Sequence, residues 1–193
     1  GVKLMLKGSK CVSKCTMDKR KSAPGQAKKK MRSKPSEYHK RLREKQRAKI
    51  YTGILEKQFR RYYTNASKMK GSTGENLLML LETRLDSILR LCGFCTSIKT
   101  SRQIIRHGFV AVNGRTVDIP SYQAQKGDVV ALHASLKENA VIKKSMEDSS
   151  SKVIPVWLER NADNLSVKIS KLPVRSEMTI PVSEQLIVEL YSK

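Results

Sequence analysis

Two kinds of residue in this chain have the type and spacing for chemistry: cysteines and arginines. Three residues separate Cys11 from Cys15, and two separate Cys92 from Cys95. Two close pairs of thiols are the donor set of a tetrahedral zinc. A structural disulfide would not persist in a reducing compartment. Nothing indicates catalysis. His39, His107 and His133 stand apart from any Ser or Cys with a third orienting group, and there is no Gly-rich phosphate loop or paired-carboxylate spacing. What remains is anion binding. Arg102 and Arg106 lie four apart, on one helix face, with no acidic residue four positions away on either side. Arg84, Arg90, Lys99 and Arg115 surround them in sequence, and Arg84 has Glu82 and Asp86 close enough to hold it internally. Cations on an open face hold phosphates.

The charge balance points the same way. The chain of 193 residues carries a formal net charge of +22. Such a field calls for a polyanion or an acidic membrane surface as partner. It is unevenly spread: residues 1–50 hold 18 Lys and Arg against 3 Asp and Glu, and the other residues hold 21 against 14. No run approaches eighteen apolar residues, which leaves no transmembrane helix. The opening GVKLMLKGSK is too short and too interrupted for a signal peptide, so the expected location is the cytosol.

The elements that must position these groups can be read in order. Residues 1–35 have little apolar periodicity. Lys28, Lys29, Lys30 and Arg32 form a block that repels itself unless it orders on a polyanion. Ser36 is an N-cap for a helix in which Lys40, Arg41, Arg43, Lys45, Arg47 and Lys49 nearly surround the axis. Tyr38 and Leu42, with Ala48 or Ile50, are expected to give it a thin apolar seam. Residues 54–69 read as a second helix, with Leu55, Phe59, Tyr62 and Tyr63 inward, Arg60 and Arg61 outward, and Gly71 as its stop. Thr73 caps the next helix. From Glu75 to Leu91, residues Leu77, Leu78, Leu81, Leu85, Ile88 and Leu89 make one stripe that Gly93 ends.

Ser101 to His107 is a further short helix with Ile104 and Ile105 inward. Phe109 to Val112 is a strand, Asn113-Gly114 a tight hairpin turn, and Arg115 to Ile119 the return strand closed by Pro120. Lys126-Gly127-Asp128 is a turn before another strand. Leu136 to Ile142 suggests a short helix, Ser145 to Ser151 a linker, and Val153 to Glu159 and Leu165 to Leu172 short strands around Trp157. Glu184 to Tyr191 is an apolar alternation or short helix that returns to the first domain.

The pattern RLD…G…RQIIRHGFVAVNG…P…KGD, within Arg84 to Leu132, resembles the S-four RNA-binding domain. The flanks Ser36-Glu37-Tyr38, Leu42-Arg43-Glu44-Lys45-Gln46, Gly71-Ser72-Thr73-Gly74-Glu75-Asn76-Leu77-Leu78 and Val182-Ser183-Glu184-Gln185-Leu186-Ile187-Val188 resemble the bacterial-type small-subunit ribosomal protein S-four family. The chain departs from that family at Leu91 and Ile98, where arginines are common and Lys99 is the nearest substitute. It departs again at Pro24-Gly25-Gln26-Ala27, where His-Gly is usual. The resemblance makes Cys92 and Cys95 packing residues. It also matches Cys11 and Cys15 to the second half of a four-cysteine zinc knuckle found in some members, whose first half would lie upstream of Gly1. Zinc is then expected only with an upstream cysteine pair, and otherwise no cofactor.

These readings combine into an α+β chain. Residues 1–35 are a basic arm and 36–82 a helical RNA-binding domain, with 180–193 packing back on it. Residues 83–179 contain the S-four module, with its core at 84–132. The expected function is structural: binding small-subunit ribosomal RNA, helping to nucleate assembly and supporting accuracy. The expected contacts are Lys28, Lys29, Lys30, Arg32, Lys40, Arg41, Arg43, Lys45, Arg47, Arg60, Arg61, Arg84, Lys99, Arg102, Arg106, Asn113 and Arg115. The resemblance implies the neighbouring proteins S-five and S-three, and messenger RNA nearby. An RNA-modifying enzyme with the same module would need a catalytic domain for which there is no room. A DNA-binding regulator is the other class, separable by whether the protein sediments with ribosomal particles.

Overall fold

The structure is a computed structural model that describes residues 2–19, 36–149 and 153–192. Lys28, Lys29, Lys30 and Arg32 lie outside the described residues. In chain order the helices are α1 (Ser9–Ser13), α2 (Thr16–Lys19), α3 (Glu37–Thr52), α4 (Glu56–Lys68), α5 (Thr73–Glu82), α6 (Leu85–Leu91) and α7 (Ile98–Arg106). Strands β1 (Val110–Val112), β2 (Arg115–Thr116) and β3 (Val129–Leu132) follow, then a 3-10 turn at Ala134–Glu138 and α8 (Ala140–Ser149). Strands β4 (Leu158–Asn161) and β5 (Ser166–Ile169) and helix α9 (Glu184–Tyr191) complete the chain. The mix is α+β.

Two apolar cores organise these elements. Ala48, Tyr51, Ile54, Phe59, Tyr62, Ala66, Leu77, Leu78 and Leu81 form the first, joined by Ile180, Val182 and Ile187 from the end of the chain. Helix α9 therefore lies against α3 and α5. The second core sits between helices α6 and α7 and one face of an antiparallel sheet ordered β2-β1-β3-β5-β4. The register puts Val112 opposite Val130 and Val130 opposite Val167, and this row points inward. Trp157 is fully buried there.

Local chemistry explains the ends. The Ser36 side chain accepts from the His39 backbone N–H at 3.3 Å and opens α3. The turn between β1 and β2 has positive φ at both Asn113 (50°) and Gly114 (80°), the conformation a two-residue hairpin needs. Ser97 caps α7 by accepting from the Thr100 N–H, so that helix begins at Ile98, earlier than its sequence suggests.

Five expectations are corrected. The stripe from Glu75 to Leu91 is two helices, broken at Thr83 and Arg84. Its apolar spacing never falters because both halves are buried, but Leu77, Leu78 and Leu81 enter the first core while Leu85, Ile88 and Leu89 enter the second. At the break the backbone bonds elsewhere: Leu85 N–H donates to Tyr122 O and Asp86 N–H to Pro120 O. The expected return strand Arg115–Ile119 is only Arg115–Thr116: Val117 N–H still donates to Val110 O, and the chain then turns, Tyr122 N–H donating to Ile119 O, into the segment 120–124 that pairs with the helix break. The expected linker at 145 is helical through Ser149; Ser145 is buried and donates to Gly93 O at 3.1 Å. Leu55, expected inward, is 80% exposed at the extended N-cap position of α4, and Ser72 rather than Thr73 precedes α5 as its cap residue.

Candidate nucleic-acid interface

Helix α4 separates its residues cleanly. Phe59, Tyr62 and Ala66 are buried, while Lys57, Arg60, Arg61 and Lys68 are exposed. Lys57, Arg61 and Lys68 fall at i, i+4 and i+11, one line along the helix. No salt bridge holds any of the four among the described residues. Helix α7 repeats the arrangement: Ile98, Ser101 and Ile105 face inward, and Lys99, Gln103 and Arg106 line the open face at i, i+4 and i+7. Arg115 is exposed beside the hairpin turn. Such unpaired, outward cations suit phosphate oxygens, since no internal bond must break first.

Helix α3 is different. Arg43 is exposed and has no salt bridge among the described residues, but the neighbouring cations meet carboxylates. Lys40 pairs with Glu37 at 2.6 Å, Arg41 with Glu189 at 2.7 Å and Arg47 with Glu44 at 2.7 Å. Lys45 is buried, donates to Glu56 at 2.8 Å and lies over the Tyr191 ring. Lys49 adds a second bond to Glu56 at 3.1 Å, and the Tyr191 hydroxyl a third at 2.9 Å. Burial works against ionisation of Glu56, but these three donors outweigh it and hold its carboxyl at about 2.

Three expected contacts are spent inside the protein, and a fourth is partly so. Arg84 is 3% exposed; its Nε and Nη2 donate to the two carboxylate oxygens of Asp86 at 3.0 and 2.8 Å, and its Nη1 to the Tyr62 hydroxyl at 2.6 Å. Burial opposes its charge, yet Asp86 and Tyr62 more than compensate and raise its pKa. Lys45 is committed to Glu56. Arg102 is half-buried, and its Nε donates to Asp86 at 2.7 Å while Nη1 and Nη2 donate to the carbonyls of Gly53 and Thr52 at 2.7 and 3.0 Å. Asn113 is exposed, but its side-chain amide donates to Asp128 and its oxygen accepts from the Val129 N–H, so it fixes the hairpin. Glu82, an expected partner for Arg84, instead accepts from Thr179 and Ile180 through Oε1, and burial pushes its carboxyl up.

A polar seam between the cores thus escaped the sequence. Gln123 donates to Tyr62 and Leu80 O and accepts from Thr83; Arg90 donates to the Tyr51 hydroxyl at 3.0 Å and stacks over its ring. Lys57 and Lys68, exposed in line with Arg61, are not among the expected contacts, although their spacing from it is readable in the sequence.

The cysteines do not assemble. Among the described residues no group of three or more His, Cys, Asp or Glu side chains is placed to hold a metal. Cys11 and Cys15 are half-buried free thiols in and beside α1, and the Cys11 sulfur accepts from the Lys7 N–H. Two ligands do not make a structural zinc site. Cys92 and Cys95 lie in the second core, where burial raises both thiols, Cys95 to about 11. They are protonated packing residues.

Comparison with known proteins agrees with this geometry. Residues 1–82 match the family model described as the ribosomal protein S4/S9 N-terminal domain, and residues 83–130 match the S4 domain. The two matches meet at the break between α5 and α6. The small ribosomal subunit protein uS4 of Thermodesulfovibrio yellowstonii is 48% identical over 193 residues, covering 100% of this chain and 92% of that protein. Those of Pelotomaculum thermopropionicum and Dictyoglomus turgidum are 48% and 50% identical over 194 residues, each covering 100% of this chain and 93% of theirs. No described helix is long and apolar enough to cross a membrane. With adjoining family-model matches over residues 1–130 and near-half identity across its whole length, the chain belongs to the S4 family of small-subunit ribosomal proteins.

Proposed function

We propose that this chain is a structural, non-catalytic component of the small ribosomal subunit that binds its ribosomal RNA directly, and so works in the cytoplasm with the ribosome. The observation that carries the proposal is the pair of unpaired cationic stripes, one on each core: Lys57, Arg60, Arg61 and Lys68 on α4, and Lys99 and Arg106 on α7 with Arg115 nearby. The mechanism is electrostatic clamping. Each stripe takes phosphates from a different RNA segment, and the shared body reduces the freedom of those segments relative to one another. Such a clamp serves early assembly, and it supports accuracy by holding the folded RNA steady. Arg43, and Lys40, Arg41 and Arg47 after exchanging a carboxylate for a phosphate, extend the surface along α3, and the arm cations Lys28, Lys29, Lys30 and Arg32 extend it further. By family resemblance the protein neighbours are S-five and S-three, close to where messenger RNA enters.

The test is sedimentation and footprinting. The intact chain should travel with small-subunit particles through a sucrose gradient, and should protect more than one helix of a small-subunit rRNA transcript. Arg61→Glu and Arg106→Glu should each remove a different part of that footprint. Protection unchanged by both substitutions would refute the two-stripe reading.

A further inference from the structure

We infer that Arg102 is a positioning residue for RNA recognition: it locks α7 to the corner between α3 and α4, and so sets the angle at which the two cationic stripes meet RNA. The inference rests on the proposed assignment of those stripes as RNA contacts. Arg102 lies on α7 between the exposed Lys99 and Arg106, but its guanidinium turns away from their face. Nη1 and Nη2 reach the carbonyls of Gly53 and Thr52, at the carboxyl end of α3, where a cation also complements the helix dipole. Nε reaches Asp86, which is fully buried on α6 and already held by Arg84. One planar fork therefore joins three elements.

The far end of the tie matters as much. Thr52 and Gly53 immediately precede α4, whose stripe begins at Lys57. Gly53 adopts φ 64°, and a Cβ there would sit 3.3 Å from Arg102 Nη1, so the corner is shaped to admit the guanidinium. Other polar ties across the seam, Arg84 to Tyr62, Arg90 to Tyr51 and Gln123 to Tyr62 and Leu80, leave from the start of α6, from α6 and from the segment after Pro120. Arg102 is the tie that leaves from α7 itself. Two weak binding faces gain avidity only when their geometry lets both engage at once. Without the fork α7 would still carry Lys99 and Arg106, but it would be held to the α3–α4 corner only indirectly, through the second core and its other ties.

The experiment compares Arg102→Met, Arg102→Lys and Arg106→Gln in the full chain. Affinity is measured for a small-subunit rRNA transcript and for a single RNA duplex over a range of salt. The distance distribution between labels carried by non-natural residues at Asn65 and Gln103, both exposed, reports the angle. Arg102→Met should lose roughly ten-fold or more in affinity for the transcript, part of the ~10²–10⁴ that linking two faces can supply. It should leave duplex affinity and its salt slope unchanged, and broaden the distance distribution. Arg102→Lys keeps the charge but has one ammonium for three separated acceptors, so it should resemble Arg102→Met. Arg106→Gln should weaken both RNAs together and flatten the slope by about one phosphate. If Arg102→Met flattens the slope and weakens the duplex as Arg106→Gln does, Arg102 is a phosphate ligand and the inference is overturned. It is overturned equally if Arg102→Lys behaves as the unsubstituted chain or if the distribution stays narrow. A null result for Arg106→Gln alone overturns the stripe assignment instead.

Discussion

Helices α3 and α4 are adjacent, basic and similar in length, yet they spend their charge in opposite ways. On α3, Lys40, Arg41, Lys45, Arg47 and Lys49 each meet a carboxylate from Glu37, Glu189, Glu56 or Glu44. On α4, Lys57, Arg60, Arg61 and Lys68 meet none among the described residues. The difference lies partly in the helix and partly in what packs alongside. Glu37 and Glu44 are α3's own, α9 and the first turn of α4 bring Glu189 and Glu56 to it, and the outer face of α4 is exposed among the described residues. A lysine count therefore measures the total field, and the neighbours decide which cations remain for a partner.

The comparison breaks most visibly at the buried end of the scale. Asp86 holds both Arg84 and Arg102. Asp86→Ala would leave two guanidiniums without their carboxylate, one of them almost fully buried. Removing one partner of a buried pair costs about 3–5 kcal/mol, read as a lower urea midpoint. A loss below about 1 kcal/mol would mean that water replaces the carboxylate and that the seam is not sealed. Leu85→Ala, in the apolar layer next to it, should cost roughly 2–5 kcal/mol, with no change in salt slope for RNA. Should the slope fall with it, core and RNA face would not be separable.

A smaller effect comes from Glu56, the acid that binds α3 to α4 and to the chain end. Its folded pKa is about 2, below the ordinary 4.5, so the folded state favours the ionised form. Its contribution is thus fully present above about 4.5 and is lost as pH falls from there through about 2. Glu56→Gln should flatten the acid side of the stability profile between those limits, measured by thermal melts at constant ionic strength. A profile identical in both proteins would show that Lys45, Lys49 and Tyr191 find other partners at no cost.

Which parts were legible follows from the range of the interactions. The outer faces of α4 and α7 were readable because apolar residues at helical spacing fix the inward side, and Arg60, Arg61, Lys99 and Arg106 fall opposite. The hairpin was readable because Asn113-Gly114 suits one turn geometry. The internal bonds of Arg102 are hidden for the complementary reason. Searching four positions along its own helix finds no acid, but Asp86 is 16 residues away and the carbonyls of Gly53 and Thr52 are 49 and 50 away. The break at Thr83 stayed hidden because an apolar stripe records burial, not which core receives it. The second half of α8, from Ser145, reads as a linker because the inward face of that helix uses Ser145 beside Ile142 and Met146, too little hydrophobicity to stand out.

The subtlest test contrasts two cations on neighbouring helices. Lys45 and Arg61 carry the same charge, and each has another basic residue within two positions in the sequence. Lys45→Gln removes a part-buried bond to Glu56, so stability should fall by about 1 kcal/mol, a figure already discounted for the half-open carboxylate. RNA affinity and its salt slope should hardly change, since the ammonium was never offered outward. Arg61→Gln should do the reverse. An exposed side chain with no internal bond leaves stability within about 0.5 kcal/mol, while the salt slope should fall by about one phosphate. Measuring both quantities on both variants gives four numbers, and the pattern must be crossed. Equal loss of slope from the two substitutions would mean that Lys45 abandons Glu56 when RNA binds. The acids along α3 would then be placeholders for phosphates, and the contrast between α3 and α4 would describe only the free protein.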